Sequence, residues 1–108
     1  YHRQGKNKEA LLSLNKAVLL NPQNTLAYNN LGIIYYEEED SENAEKEFQL
    51  AIENNGDMPA IHTNLGRTYL KMGKMEPALR EFEKALQKDP LDKEAKEGIN
   101  IINRLQGG

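Results

Sequence analysis

Apolar residues recur along this chain at the three- and four-residue intervals of an α-helix, in stretches of about a dozen residues parted by short polar breaks. Ala10, Leu11, Leu14, Ala17 and Val18 form the first stripe. Asn21-Pro22 ends it, because the residue before a proline is pushed out of the helical region. Asn24 is placed to cap a second helix carrying Leu31, Ile34, Tyr35 and Glu38. Asp40 or Ser41 caps a third, with Ala44, Phe48, Ala51 and Ile52 inward, and Gly56 after Asn54-Asn55 suits a left-handed C-terminal residue. Pro59 fits the first turn of a fourth helix, lined by Leu65, Thr68, Tyr69 and Met72 and punctuated by Gly73. Pro77 sits in the first turn of a fifth, before Ala78, Phe82, Ala85 and Leu86, and Asp89-Pro90 closes it. Asp92 caps a sixth helix with Ala95, Ile99, Ile102 and Leu105 inward, and Gly107-Gly108 are expected to fray. The pattern predicts six helices and no strand, an all-α chain.

A longer period lies over the helical one. Tyr1, Tyr35 and Tyr69 are spaced by 34 residues, as are Ala10, Ala44 and Ala78, then Leu14, Phe48 and Phe82, then Ala17, Ala51 and Ala85. Pro22, Gly56 and Pro90 fall where a break is needed. A unit of this length cannot bury its own apolar face, so copies are expected to stack into a solenoid.

Paired helices at this spacing resemble the tetratricopeptide repeat (TPR) family, whose pattern is an aromatic, two residues, Leu-Gly, two residues, Tyr, then Ala, three residues, Phe and a later Pro. Tyr28, Leu31, Gly32, Tyr35, Ala44, Phe48 and Ala51 match in one copy, with Gly56 in place of the proline. His62, Leu65, Gly66, Tyr69, Ala78, Phe82, Ala85 and Pro90 match in the next. Tyr28 and His62 stand where the family often has Trp, and Glu39 stands where Gly5 and Gly73 have glycine. The resemblance implies a right-handed superhelical α-solenoid of antiparallel helix pairs. In it Gly32, Gly66, Ala44 and Ala78 let the two helices of a repeat approach, and the Tyr and Phe rings fill the space between repeats. It divides a single domain into a partial repeat over 1–22, whole repeats over 25–58 and 59–92, and a capping helix over 93–106. Tyr1 is then expected near the end of a helix that begins earlier. The chain opens without Met or a signal-like segment, as an excised or processed piece would.

Composition narrows function. Seventeen acidic and fourteen basic residues give a net charge of −3 with no basic cluster, which argues against a nucleic-acid surface. The absence of Cys removes disulfides, thiol catalysis and Cys-zinc sites, and fits a reducing compartment, so a cytoplasmic location is expected. The longest apolar runs, such as Ala17-Val18-Leu19-Leu20, are too short to enter a bilayer as a span.

Candidate chemistry is sparse. The resemblance implies a concave groove lined by the first helix of each repeat: Leu26, Asn29, Asn30, Ile33, Tyr36 and Glu37 in one, and Ala60, Thr63, Asn64, Arg67, Leu70 and Lys71 in the next. His2 and Arg3 would extend it at one end, and Glu94, Glu97 and Ile101 at the other. Asn30 and Asn64, one repeat apart, could grip a peptide backbone through both amide groups, or could tie neighbouring helices together. The family's two-carboxylate clamp needs Lys and Asn, then Asn, then Lys and Arg on successive first helices. Asn29 with Ile33, Asn64, and Glu94 with Gly98 do not supply it, and the register through Asn30 fails as well. His62 falls at a packing position, and Glu37-Glu38-Glu39-Asp40 lacks the ligand spacing of a calcium loop. No catalytic constellation, metal set or cofactor motif emerges.

The expectation is a non-catalytic module that binds a protein or peptide, within a larger repeat protein or assembly. Two alternatives stand beside it: a self-associating structural scaffold, and a substrate-recruiting segment of a larger enzyme. Homo-oligomerisation through the open N-terminal edge, where Leu11, Leu14, Ala17 and Val18 lack a cover, is a further expectation.

Overall fold

The computed structural model describes the backbone of residues 2–21, 24–54 and 58–107, and the side chains of 8–21, 24–54 and 58–106. Among the described residues six helices follow one another: α1 (His2–Leu20), α2 (Thr25–Glu37), α3 (Ser41–Glu53), α4 (Pro59–Lys71), α5 (Met75–Lys88) and α6 (Lys93–Gly107). No strand occurs among the described residues. The chain forms two compact units, Tyr1–Gly56 and Asp57–Gly108.

The caps read from the sequence are present. Ala27 donates its backbone N–H to Asn24 Oδ1 at 3.1 Å, Asn43 to Asp40 Oδ1 at 3.3 Å, and Ala95 to Asp92 Oδ1 at 3.1 Å. Each satisfies one of the orphan donors that open a helix. Pro59 opens α4, where its missing N–H costs nothing, but Met58 and Lys74 make no side-chain cap for α4 and α5. The C-terminal ends of α2 and α4 are alike. Glu39 N–H bonds Tyr36 O and Asp40 N–H bonds Tyr35 O, as Gly73 bonds Leu70 O and Lys74 bonds Tyr69 O. This pattern requires a left-handed residue, supplied by Glu39 (φ 64°) and Gly73 (φ 79°). Pro22, Asn55 and Gly56 lie outside the described residues.

In the first unit α2 lies on α3. A Cβ placed on Gly32 would come within 2.6–2.8 Å of the Phe48 ring, so the close approach depends on glycine. Leu31, Ala44, Phe48 and Ala51 are fully buried there, and Thr25 Oγ1 donates to Asn54 O at 2.6 Å. In the second unit α4 lies on α5 in the same way, Gly66 against Phe82, and α6 closes on both. Phe82, Ala78, Ala85, Ala95 and Ile102 form its core, with Tyr69, Leu70, Leu79, Leu86 and Ile99 half-buried around it.

α1 runs unbroken from His2 through Gly5 to Leu20, and the expectation for Tyr1 lies outside the described residues. A helical glycine costs only about 1 kcal/mol, and local i→i−4 bonding carries the helix through it. The Phe48 and Phe82 rings lie on Gly32 and Gly66 within their helix pairs, and the Phe82 ring also lies against Gly98 of the following helix, α6. Leu105 is 61 % exposed. The α6 stripe is instead Ala95, Gly98 and Ile102, and one turn beyond Ile102 the helix has run out of cover. Glu38 is the exposed C-cap of α2 rather than part of its inward stripe.

Candidate functional site

The exposed side of α2 carries the first half of the expected groove. Leu26 is 64 % exposed, Asn30 and Glu37 are exposed, and Asn29, Ile33 and Tyr36 are half-buried. A hollow of about 460 Å³ opens between α2 and α1, lined by Asn30, Ile33 and Ile34 on one side and Ala10, Ser13 and Leu14 on the other. Its walls are mainly aliphatic, with one amide and one hydroxyl at hand. Ser13 carried no signal in the sequence beyond its place one residue before Leu14.

On α4, Ala60, Arg67 and Lys71 are exposed, while Asn64 and Leu70 are half-buried. Thr63, expected on the open face, is 2 % exposed, and its hydroxyl donates to Asp92 Oδ2 at 2.7 Å. Asp92 therefore does two things: one oxygen caps α6 and the other ties α4 to that cap. Arg67 reaches Glu94 Oε2 at 3.5 Å, an exposed pair of the kind that contributes about 0–1 kcal/mol. Glu97 and Ile101 lie on the exposed side of α6. His2 and Arg3 lie where side chains are outside the described residues.

His62 is buried, as its packing position implied, and its ring Nδ1 lies 2.8 Å from Glu81 Oε1. Lys84 Nζ donates to the other carboxylate oxygen at 3.3 Å, so the carboxylate is held between two nitrogen groups. Only the register of Glu81 with Glu47 could have pointed to this pair in the sequence. In the first unit burial pushes the Glu47 carboxyl up from its ordinary range, partly opposed by Lys46. Burial likewise raises the Tyr35 phenol, aided by the negative charges of Glu47, Asp40 and Glu38. These shifts belong to packing positions, not to a cleft. Among the described residues no three His, Cys, Asp or Glu side chains converge to hold a metal ion, and no helix is long and apolar enough to cross a membrane.

Comparison with known proteins agrees with this architecture. Residues 1–38 match a family model described as TPR repeat, and residues 36–99 match one described as tetratricopeptide repeat. Human tetratricopeptide repeat protein 13 is 32 % identical over 83 residues, covering 77 % of this chain but 10 % of its own length, so the chain spans about a tenth of that relative. Among solved structures, the first TPR of Spaghetti (RPAP3) bound to the HSP90 peptide SRMEEVD superposes with a TM-score of 0.92 at 24 % identity, covering 100 % of this chain and 86 % of that one. MamA superposes at 0.89 with 27 % identity, over 99 % and 63 %. The second TPR domain of human RPAP3, in complex with the HSP70 peptide SGPTIEEVD, superposes at 0.86 with 24 % identity, over 95 % and 86 %. From its 34-residue skeleton, its glycine-seated phenylalanines and two matching family models, this chain belongs to the tetratricopeptide repeat family.

Proposed function

We propose that this chain is a non-catalytic module that binds a peptide or protein through the exposed sides of its first helices. Its whole repeats are read as 25–58 and 59–92. The carrying observation is on α4, where Arg67 and Lys71 stand exposed one turn apart beside the half-buried Leu70. Two cations next to an aliphatic side chain suit a peptide that offers a carboxylate and an apolar anchor. Asn30 on α2 and Asn64 on α4 add amides able to bond a peptide backbone. Similar TPR structures hold acidic chaperone peptides, which supports a peptide partner of acidic character. The clamp residues for a chaperone tail are absent, however, and Arg67 already shares its charge with Glu94, so a different acidic peptide is favoured.

Capture of a partner with this chain as bait, followed by calorimetric titration, tests the reading. Charge-assisted contacts of this kind contribute about 1.5–3 kcal/mol, so Arg67→Glu should weaken binding at least tenfold. Lys46→Glu, on the exposed side of α3, should change it little. The joint replacement of Asn30 and Asn64 by Ala should also weaken it. Affinity unchanged by Arg67→Glu and by the double asparagine variant would move the binding surface elsewhere.

A further inference from the structure

The open side of the second unit carries charges of both signs in two rows. α4 presents Arg67 and Lys71, one turn apart and both exposed. α6 presents Glu94 and Glu97, three residues apart and therefore on one flank of that helix, both exposed as well. Ile101 and Leu105 continue the flank at four-residue steps, 39 % and 61 % exposed. Lys96 falls on the other side of the buried stripe of Ala95, Gly98 and Ile102, away from this row.

The two rows meet at one ion pair. Arg67 Nη1 lies 3.5 Å from Glu94 Oε2, and the two side chains are 44 % and 63 % exposed. Buried contacts hold the helices beneath them in register. Thr63 donates its hydroxyl to Asp92 Oδ2 at 2.7 Å, two residues before Glu94, and Gly98 sits on the Phe82 ring as Gly66 does. The spacing of the rows is therefore set by packing, whatever rotamer each exposed side chain takes. In the preceding repeat the register mates of Arg67, Lys71 and Glu94 are Ile33, Glu37 and Ala60, which cannot make such a pair.

Resting on the reading of α4 as a peptide-binding side, we propose that the surface between α4 and α6 selects an extended peptide with an acidic and a basic residue two positions apart, and that Glu94 enforces the choice. Glu94 already shares the charge of Arg67. A ligand carboxylate that approaches Arg67 also enters the field of Glu94, and like charges at that range repel. A ligand that brings a cation to the outer side of Glu94 removes the repulsion. It completes an alternating row of ligand carboxylate, Arg67, Glu94 and ligand cation. The lengths agree. An extended strand rises about 3.3 Å per residue and turns alternate side chains to one face, so residues two apart stand about 6.6 Å apart. The reach of a Lys or Arg side chain extends that span enough to straddle the 3.5 Å ion pair. A peptide with two neighbouring carboxylates and no cation brings its second charge against Glu94 and Glu97, and is rejected.

The probe comes from a display library of random dodecapeptides selected on the full chain, with the recovered sequence resynthesised and titrated by calorimetry. Recovered sequences should be enriched in an acidic and a basic residue two positions apart. Changing that basic residue to Glu should weaken binding to the parent about threefold or more, the scale of an exposed pair turned from attraction to repulsion. Glu94→Lys, at an exposed position, should reverse the order with helicity unchanged, so that the Glu-bearing peptide binds more tightly than the original. Lys46→Glu, on the exposed side of α3, should leave the order as it is. Equal binding of the two peptides by the parent, or the same order after Glu94→Lys, overturns the proposal. If Arg67→Glu still weakens both peptides in that case, the acidic-peptide reading survives alone; if it has no effect, both readings fail. A library that yields no saturable binder overturns the proposal as well.

Discussion

Glu39 holds a conformation that its repeat mate leaves to glycine, and replacing it should stabilise the first unit. Its φ of 64° lies in the left-handed region, where a Cβ crowds the carbonyl at a cost of about 1–2 kcal/mol. Gly73, one repeat on, meets the same need at φ 79° with nothing near the position its Cβ would occupy. Glycine is not free of cost, since its unfolded chain has more conformations to lose, a penalty of about 0.5–1 kcal/mol. The difference leaves Glu39→Gly more stable by about 0.5–1 kcal/mol. For a chain of this size that corresponds to a rise in melting temperature of roughly 2–8 °C. The side chain also places negative charge just past the C-terminal end of α2, where the helix dipole disfavours it by a few tenths of a kcal/mol. Glu39→Ala separates the two causes, because it removes the charge and keeps the strained Cβ. Thermal melts followed by circular dichroism, with amide exchange across the α2–α3 turn to localise the effect, should rank Glu39→Gly above both Glu39→Ala and the parent. Gly73→Glu should fall below the parent by about 1 kcal/mol. If Glu39→Ala gains as much as Glu39→Gly, charge and not backbone strain is responsible; if neither gains, the left-handed turn is not costing stability.

Other substitutions probe the remaining contacts. Lys74 occupies the register position of Asp40 but makes no side-chain cap for α5, so Lys74→Asp should gain about 1 kcal/mol, measurable by urea unfolding. Gly98→Ala should lose about 1–3 kcal/mol despite the better helix propensity of alanine, because its Cβ would collide with the Phe82 ring; a gain of stability would refute the close seating of α6. Burial raises the Glu47 carboxyl above its ordinary value of 4.5, so the folded chain binds the proton more tightly than the unfolded one. That contribution to stability is lost as pH rises from about 4.5 through the raised folded value, and Glu47→Gln should flatten this part of the stability profile.

The 34-residue spacing, the caps at Asn24, Asp40 and Asp92 and the helix-period stripes were legible in the sequence because each depends on residues within one repeat. Helix type, helix order and the Gly32 and Gly66 approaches follow from such local rules, which the two whole repeats share. What each side chain does once helices meet is a different matter, decided by elements far apart in sequence. Thr63 looked like a groove residue until Asp92, 29 positions later, took its hydroxyl. His62 drew its partner from α5 and Arg67 from α6, neither at a spacing that helix periodicity reveals. Gly98 gave no periodic signal, yet it completes the seat of Phe82 opposite Gly66. Ala10, Leu14 and Ala17 read like Ala78, Phe82 and Ala85, and the less complete cover expected of Leu14 and Ala17 is observed: the second set is fully buried while the first is half-buried. Local periodicity determines which face of a helix is apolar; which neighbour covers that face depends on distant contacts that no repeat-length pattern encodes.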